Sequence, residues 1–334
     1  MPVLLASPCS DANEVKPASA DIEAVHAARE RGVKRHFPRL RPEGCLGDLL
    51  NHAAFRGFSR LMLPWDGGDY GEAMPLKDIG QLLPYHSHVV PEVVVAALNR
   101  MVDDASAGRT VFYNFYADGQ RRANPTLKHT GLFFFRGKPA APFAIIAPGG
   151  GFTYVGSVHE GFPYAEEISR WGLNVFVLKY RAGQGGRVAT EDLAAAVSYI
   201  FQNAGALQVG TDGYSLWGSS AGARMVAAIG SHGVAAFGGL PLPKPSVVVM
   251  AYTAHSEVTR AEPSTFVVVG DRDSIAPPAA MESRISALRR RETYVKYCKY
   301  PGVGHGFGTG QGTSAEGWVD QAIRFWEKEI GRTP

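Results

Sequence analysis

Ser220 stands at the centre of Gly218-Ser219-Ser220-Ala221-Gly222, a G-x-S-x-G sequence. A serine hydroxyl attacks an acyl carbon only when a base takes its proton and a third group orients that base. A chain rich in Gly and Ser can present this motif by chance, so the setting decides. Residues 214–217 read as a strand and residues 221–229 as a helix. That is the strand-to-helix turn of a nucleophile elbow, with the flanking glycines leaving room for the neighbouring backbone. The helix N-terminus behind Ser220 also favours developing negative charge. Ser219 is the rival nucleophile, but its frame would need Gly at Trp217 and Ala221.

The partners of such a serine follow in the order acid, then histidine. Residues 265–269 form a candidate strand that runs into Gly270-Asp271-Arg272-Asp273. Ligand-facing residues in parallel sheets lie just past strand C-termini. Asp273 is the expected acid; Asp271, nearer the strand, either competes for the role or braces the loop. Residues 294–300 run into Pro301-Gly302-Val303-Gly304-His305-Gly306-Phe307, which places His305 on a glycine-rich loop where the base belongs. Upstream, Pro148-Gly149-Gly150-Gly151-Phe152 follows the candidate strand 143–147. Glycines let backbone N–H groups turn inward, so Gly150, Gly151 and the N–H of Ala221 are expected to form an oxyanion hole. A phosphate cradle is the other use of such a loop, but neither G-x-G-x-x-G nor a following P-loop lysine is present. Phe152, Tyr154 and His159 follow the loop and either line an acyl or alcohol pocket or pack as core. His86 and His88 form an H-x-H pair without an evident third ligand, so a structural or pocket-lining role is favoured over a metal site.

The elements that must hold these residues alternate. Candidate strands lie at 111–116, 131–135, 143–147, 174–179, 214–217, 246–250, 265–269 and 294–300. Candidate helices lie at 165–171, 191–202, 221–229, 279–290 and 318–329. The later strands are continuous apolar runs, as in a parallel sheet buried on both faces. The first two are aromatic-rich with no helix between them, and should form an antiparallel edge. The expected fold class is therefore α/β, a mostly parallel doubly wound sheet with an antiparallel edge. Residues 1–42 read as a loose N-terminal arm, with a helix at 21–31. Residues 43–107 read as a small helical N-terminal segment, serving as a cap or an oligomer contact. Residues 108–334 read as the catalytic domain. Helical spacing is clearest at Val93, Val94, Ala97, Leu98 and Met101.

The 334 residues, 45% of them hydrophobic, suffice to bury one large core. Net charge is +3 with acids and bases interspersed, and no basic stripe is interleaved with aromatics, so nucleic acid is not an expected partner. Arg289, Arg290 and Arg291 close a helix, where they complement its dipole. Cys9, Cys45 and Cys298 are far apart and lack metal-ligand spacing, so neither a metal nor another cofactor is expected. No apolar run approaches the ~20 residues of a membrane span. The start lacks a basic n-region, so a cytoplasmic location is expected; export in a cleaved or lipid-anchored form stays open.

At these residues the chain resembles the α/β-hydrolase superfamily, within it the esterase/lipase group that includes bacterial acetyl xylan esterases and related carbohydrate esterases. The resemblance rests on PGGGF at 148–152, LNVFVLKYR at 173–181, EDLAAAVSYI at 191–200, WGSSAG at 217–222, GDRDSIAPP at 270–278 and GVGHGF at 302–307. It covers residues 111–329. It departs at Pro148, where hormone-sensitive-lipase-like esterases open HGGG with His, and at Ala223, where many relatives carry Gly. The resemblance implies a serine carboxylic ester hydrolase acting on a small acyl ester, with acetylated sugars among the expected substrates. A peptidase or acyl-aminoacyl hydrolase of the same fold is the alternative. A non-catalytic binding protein is a third reading, although such proteins usually lose a triad member. Residues 46–107 match nothing in the group.

Overall fold

The computed structural model describes residues 36–331, which belong to one compact unit. The helix expected at 21–31 and Cys9 lie outside the described residues. The strands are β1 (Phe112–Tyr113), β2 (Gly131–Phe135), β3 (Pro142–Ala147), β4 (Asn174–Lys179), β5 (Gly210–Ser219), β6 (Val247–Ala251), β7 (Ser264–Gly270) and β8 (Val295–Tyr300). They form one sheet in the order β1-β2-β4-β3-β5-β6-β7-β8. β1 and β2 pair antiparallel, as do β2 and β4, and every other pairing is parallel. The expected antiparallel edge is present. β1 is shorter than the apolar pattern of 111–116 suggested, because Tyr116 leaves the sheet and donates its hydroxyl to Asp192 Oδ1 at 2.6 Å.

Among the described residues, six longer helices cover the sheet: α1 (Pro91–Ser106), α2 (Phe162–Arg170), α3 (Gly185–Gln202), α4 (Ala221–His232), α5 (Pro278–Arg290) and α6 (Trp318–Ile330). The two-residue period of a strand sorts the core into two layers. Phe133, Ile146, Val177, Trp217, Val249 and Val268 face one side, where they meet Phe162 and Ile168 of α2 and Trp318 and Trp326 of α6. Phe134, Ile145, Phe176, Leu216, Met250 and Val267 face the other, with Leu193 of α3, Met225 of α4 and Ile285 of α5. Both faces being dry explains why these strands read as unbroken apolar runs. Each such side chain contributes about 1.5–3 kcal/mol of burial.

The N-terminal segment packs on the α2/α6 face rather than standing apart. Leu49, Phe55, Met62 and Leu98 share one apolar cluster with Phe133 and Phe162. Phe58 stacks on Phe112 of β1 with ring centroids 4.7 Å apart. The fully buried Lys179, at the C-terminal end of β4, reaches Asp66 at 3.0 Å and the carbonyls of Leu63 and Pro64. Helix α1 accounts for the helical spacing seen at Val93–Met101, and short 3₁₀ turns make up much of the rest. No helix among the described residues is long and apolar enough to cross a membrane.

Candidate active site

Four loops leave the C-terminal ends of parallel strands and meet. Ser220 follows β5 directly and caps α4. Its backbone is held at φ 50°, ψ −114°, a region in which a side-chain-bearing residue costs about 1–3 kcal/mol. The surrounding structure fixes it there. The Ser220 N–H donates to the Ala251 carbonyl at 2.9 Å, and a Cβ at Gly222 would collide with the carbonyl of Ala147. The turn aims Ser220 outward while Ser219 points into the interior, fully buried, with its hydroxyl on that of Tyr164 at 3.3 Å.

Asp273 lies just past β7 and His305 just past β8, and both are buried. His305 Nδ1 is 2.7 Å from Asp273 Oδ2, and His305 Nε2 is 2.9 Å from Ser220 Oγ. The carboxylate accepts the Nδ1 proton, so Nε2 presents its lone pair to the serine hydroxyl. The other carboxylate oxygen accepts the N–H groups of Ile275 and Ala276, at 2.9 and 2.7 Å, which fixes the Asp273 rotamer. Asp271 does not face the histidine. It accepts the Gly302 N–H at 2.7 Å and ties the loop after β7 to the turn that leads to His305.

The loop after β3 carries Gly150 at φ 130° and Gly151 at φ 63°. At Gly150 a side chain would also strike the Tyr154 carbonyl, so only glycine fits. The Gly149 N–H donates to Glu160 Oε2, whereas among the described residues the Gly150 and Gly151 N–H groups have no protein acceptor. Ala221 supplies the first N–H of α4. Its amide and those of the two glycines belong to the loops that flank Ser220.

The three aromatic and histidine residues after the loop part company. Phe152 is half-buried at φ 61°, its carbonyl accepting the Gly183 N–H. Tyr154 is fully buried, and its hydroxyl meets the Tyr85 N–H at 3.1 Å and His86 Nδ1 at 2.9 Å. His159 is buried with Nε2 on the Gly306 carbonyl at 2.9 Å. Burial, with His86 alongside, lowers the His159 imidazole to about 4, so it is neutral near pH 7. Tyr154 and His159 thus sit behind the loops rather than lining an open pocket. Tyr85 is the aromatic residue at the front: it is exposed, stacks on Tyr154 at 5.6 Å, and its ring edge lies against Gly151. Nothing local in the sequence marked it, because it comes from the N-terminal segment.

His86 is committed to Tyr154 and Glu160, so the H-x-H pair does not open as a metal site. Among the described residues no three His, Cys, Asp or Glu side chains gather as a metal-binding group, and Cys45 and Cys298 are free thiols. Two cavities of about 1040 and 390 Å³ lie elsewhere, the first around residues 38–73 and the second between Glu167, Trp171, Glu316 and Asp320.

Comparison with known proteins agrees with this architecture. Residues 243–333, which include Asp273 and His305, match the model of the prolyl oligopeptidase family. No curated protein sequence matches the chain. Among solved structures, an acetyl ester-xyloside bifunctional hydrolase from Caldicellulosiruptor lactoaceticus is 19% identical. The alignment covers 66% of this chain and 96% of that one, with a TM-score of 0.57. An α/β hydrolase, MGS-M1, from a Medee basin deep-sea metagenome library is 22% identical over 60% of this chain and 93% of its own, at 0.52. The carboxylesterase Cest-2923 from Lactobacillus plantarum WCFS1 is 20% identical over 60% and 92%, at 0.53. The sheet order, the elbow after β5 and these likenesses together establish that the chain has the α/β-hydrolase fold.

Proposed function

We propose that the chain is a serine hydrolase that cleaves small acyl esters through an acyl-enzyme on Ser220. The observation that carries this reading is the unbroken relay from Asp273 through His305 to Ser220. In the proposed reaction His305 Nε2 takes the Ser220 proton as Oγ bonds to the acyl carbon. The carbonyl oxygen gains negative charge and is received by the N–H groups of Gly150, Gly151 and Ala221, each donor worth about 3–4 kcal/mol in such sites. The imidazolium, held by the Asp273 carboxylate, returns the proton to the departing alkoxide. Water then adds to the acyl-enzyme with His305 as base, and the acid leaves as Ser220 is restored.

The acyl group in this reading is a short one such as acetyl, with the exposed Tyr85 ring beside Gly151 as its candidate neighbour. Two of the three structures named above carry ester hydrolysis in their names, one as an acetyl ester-xyloside bifunctional hydrolase and one as a carboxylesterase. The prolyl oligopeptidase match favours a second reading, a peptidase or acyl-aminoacyl hydrolase. Parallel assays with an acetyl ester and an aminoacyl anilide separate the two. Turnover of the ester at least 10²-fold faster in kcat/KM supports the first reading, and the reverse preference supports the second.

A further inference from the structure

Glu160 is a carboxylate with no access to solvent, placed on a one-turn π-helix between the oxyanion loop and α2. Such a group persists only if its charge is paired and its oxygens are hydrogen-bonded. Here both oxygens are used. Oε2 accepts the Gly149 N–H, next to the proposed oxyanion donors. Oε1 accepts the Tyr252 hydroxyl at 2.8 Å and lies 3.0 Å from His86 Nε2. Burial pushes the Glu160 carboxyl up, but His86, His159 and the Tyr252 hydroxyl pull it further down, to about 2.

Tyr252, His86 and His159 each lead to His305 or to the residue after it. The Tyr252 ring stands edge-to-face on His305, centroids 5.2 Å apart. His86 is followed by Ser87, whose hydroxyl donates to the His305 carbonyl at 2.7 Å and whose N–H donates to the Gly306 carbonyl at 2.9 Å. His159 Nε2 meets that same Gly306 carbonyl. The strap 84–88 of the N-terminal segment is therefore stitched to the loop that carries His305, and its anchor is the carboxylate that also pins the oxyanion loop.

We infer that Glu160 is a positioning residue that sets the oxyanion loop and the His305 loop in register, and that the strap through His86 and Ser87 is the part of the N-terminal segment that completes the active site. This inference rests on the hydrolase reading of Ser220. Removing the charge should loosen both loops together, so transition-state stabilisation falls while substrate still binds. A purely structural role would lower stability without changing turnover per competent site.

The test compares full-length wild type, Glu160→Gln, Ser87→Ala and Ser87→Thr by two readouts. The first is kcat and KM for an acetyl ester, normalised to active-site titration. Glu160→Gln should lose about 10²-fold in kcat with KM within about threefold. Ser87→Ala should lose at least ~5-fold in kcat, restored by Ser87→Thr, which keeps the hydroxyl. The second is hydrogen exchange of peptides spanning 148–156 and 303–308, which needs no turnover. Both peptides should exchange at least ~10-fold faster in Glu160→Gln. Exchange that quickens only at 148–156, or a Glu160→Gln kcat within twofold of wild type, overturns the inference. If Glu160→Gln does not fold, the serine pair decides, and a Ser87→Ala enzyme equal to wild type overturns it. A wild type that fails to turn over any ester or anilide defeats the hydrolase reading instead, and the exchange arm still tests the coupling.

Discussion

Asp271 and Asp273 stand two residues apart on one loop and face different partners: Asp273 meets His305 Nδ1 at 2.7 Å, whereas Asp271 accepts the Gly302 N–H at 2.7 Å. Asp273→Asn should disturb the imidazole tautomer and lower kcat by about 10³–10⁴-fold with little loss of stability. Asp271→Ala, which removes the acceptor, should leave kcat within a few-fold and cost about 1 kcal/mol of stability, read by urea unfolding. Comparable kcat losses in the two variants would show that the acid role is misassigned.

Gly150 combines a φ of 130° with a neighbouring Tyr154 carbonyl that a side chain would strike. Gly150→Ala should displace the oxyanion loop and lower kcat by about 10²-fold, with KM less affected. Steady-state kinetics on a short-chain ester would check it. An alanine variant with wild-type kcat would remove Gly150 from the proposed oxyanion hole.

His159 is buried neutral, its imidazole lowered from 6.5 to about 4. A depressed histidine binds its proton in the unfolded chain first, so acidification from pH 6.5 towards 4 favours unfolding. The loss assigned to His159 is on the order of 3 kcal/mol across that window. His255, lowered to about 4 by burial with Arg284 alongside, acts with the same sign. Glu167, which burial and the neighbouring Asp320 raise to about 7, acts with the opposite sign. The informative quantity is therefore the difference between wild type and His159→Gln, which keeps a donor for Gly306. The wild type should lose more stability than the variant between pH 6.5 and 4, by denaturant titration at each pH. Parallel curves would contradict a neutral buried His159.

The parts that local pattern encodes were legible before the fold was known. The parallel strands are unbroken apolar runs because both sheet faces are buried, and Gly218 and Gly222 mark the elbow because no other residue fits there. The loops that bring Ser220, Asp273 and His305 together follow from strand ends alone. Glu160 was not legible, since a glutamate in Ser157-Val158-His159-Glu160-Gly161 reads as a surface residue. Its burial depends on His86 and Tyr252, which come from distant parts of the chain. Tyr85 escaped for the same reason. Tyr154 and His159 were ambiguous between pocket and core in sequence, and their hydrogen-bond partners on distant loops place them in the interior.

The central claim is that Ser220, and not the adjacent Ser219, is the nucleophile. A fluorophosphonate probe followed by intact-mass and peptide analysis tests it in wild type, Ser220→Ala and Ser219→Ala. The account predicts one adduct on Ser220 in wild type, none in Ser220→Ala, and labelling retained in Ser219→Ala, whose hydroxyl is buried against Tyr164. An unlabelled wild type, or equal labelling of Ser220→Ala, would contradict it.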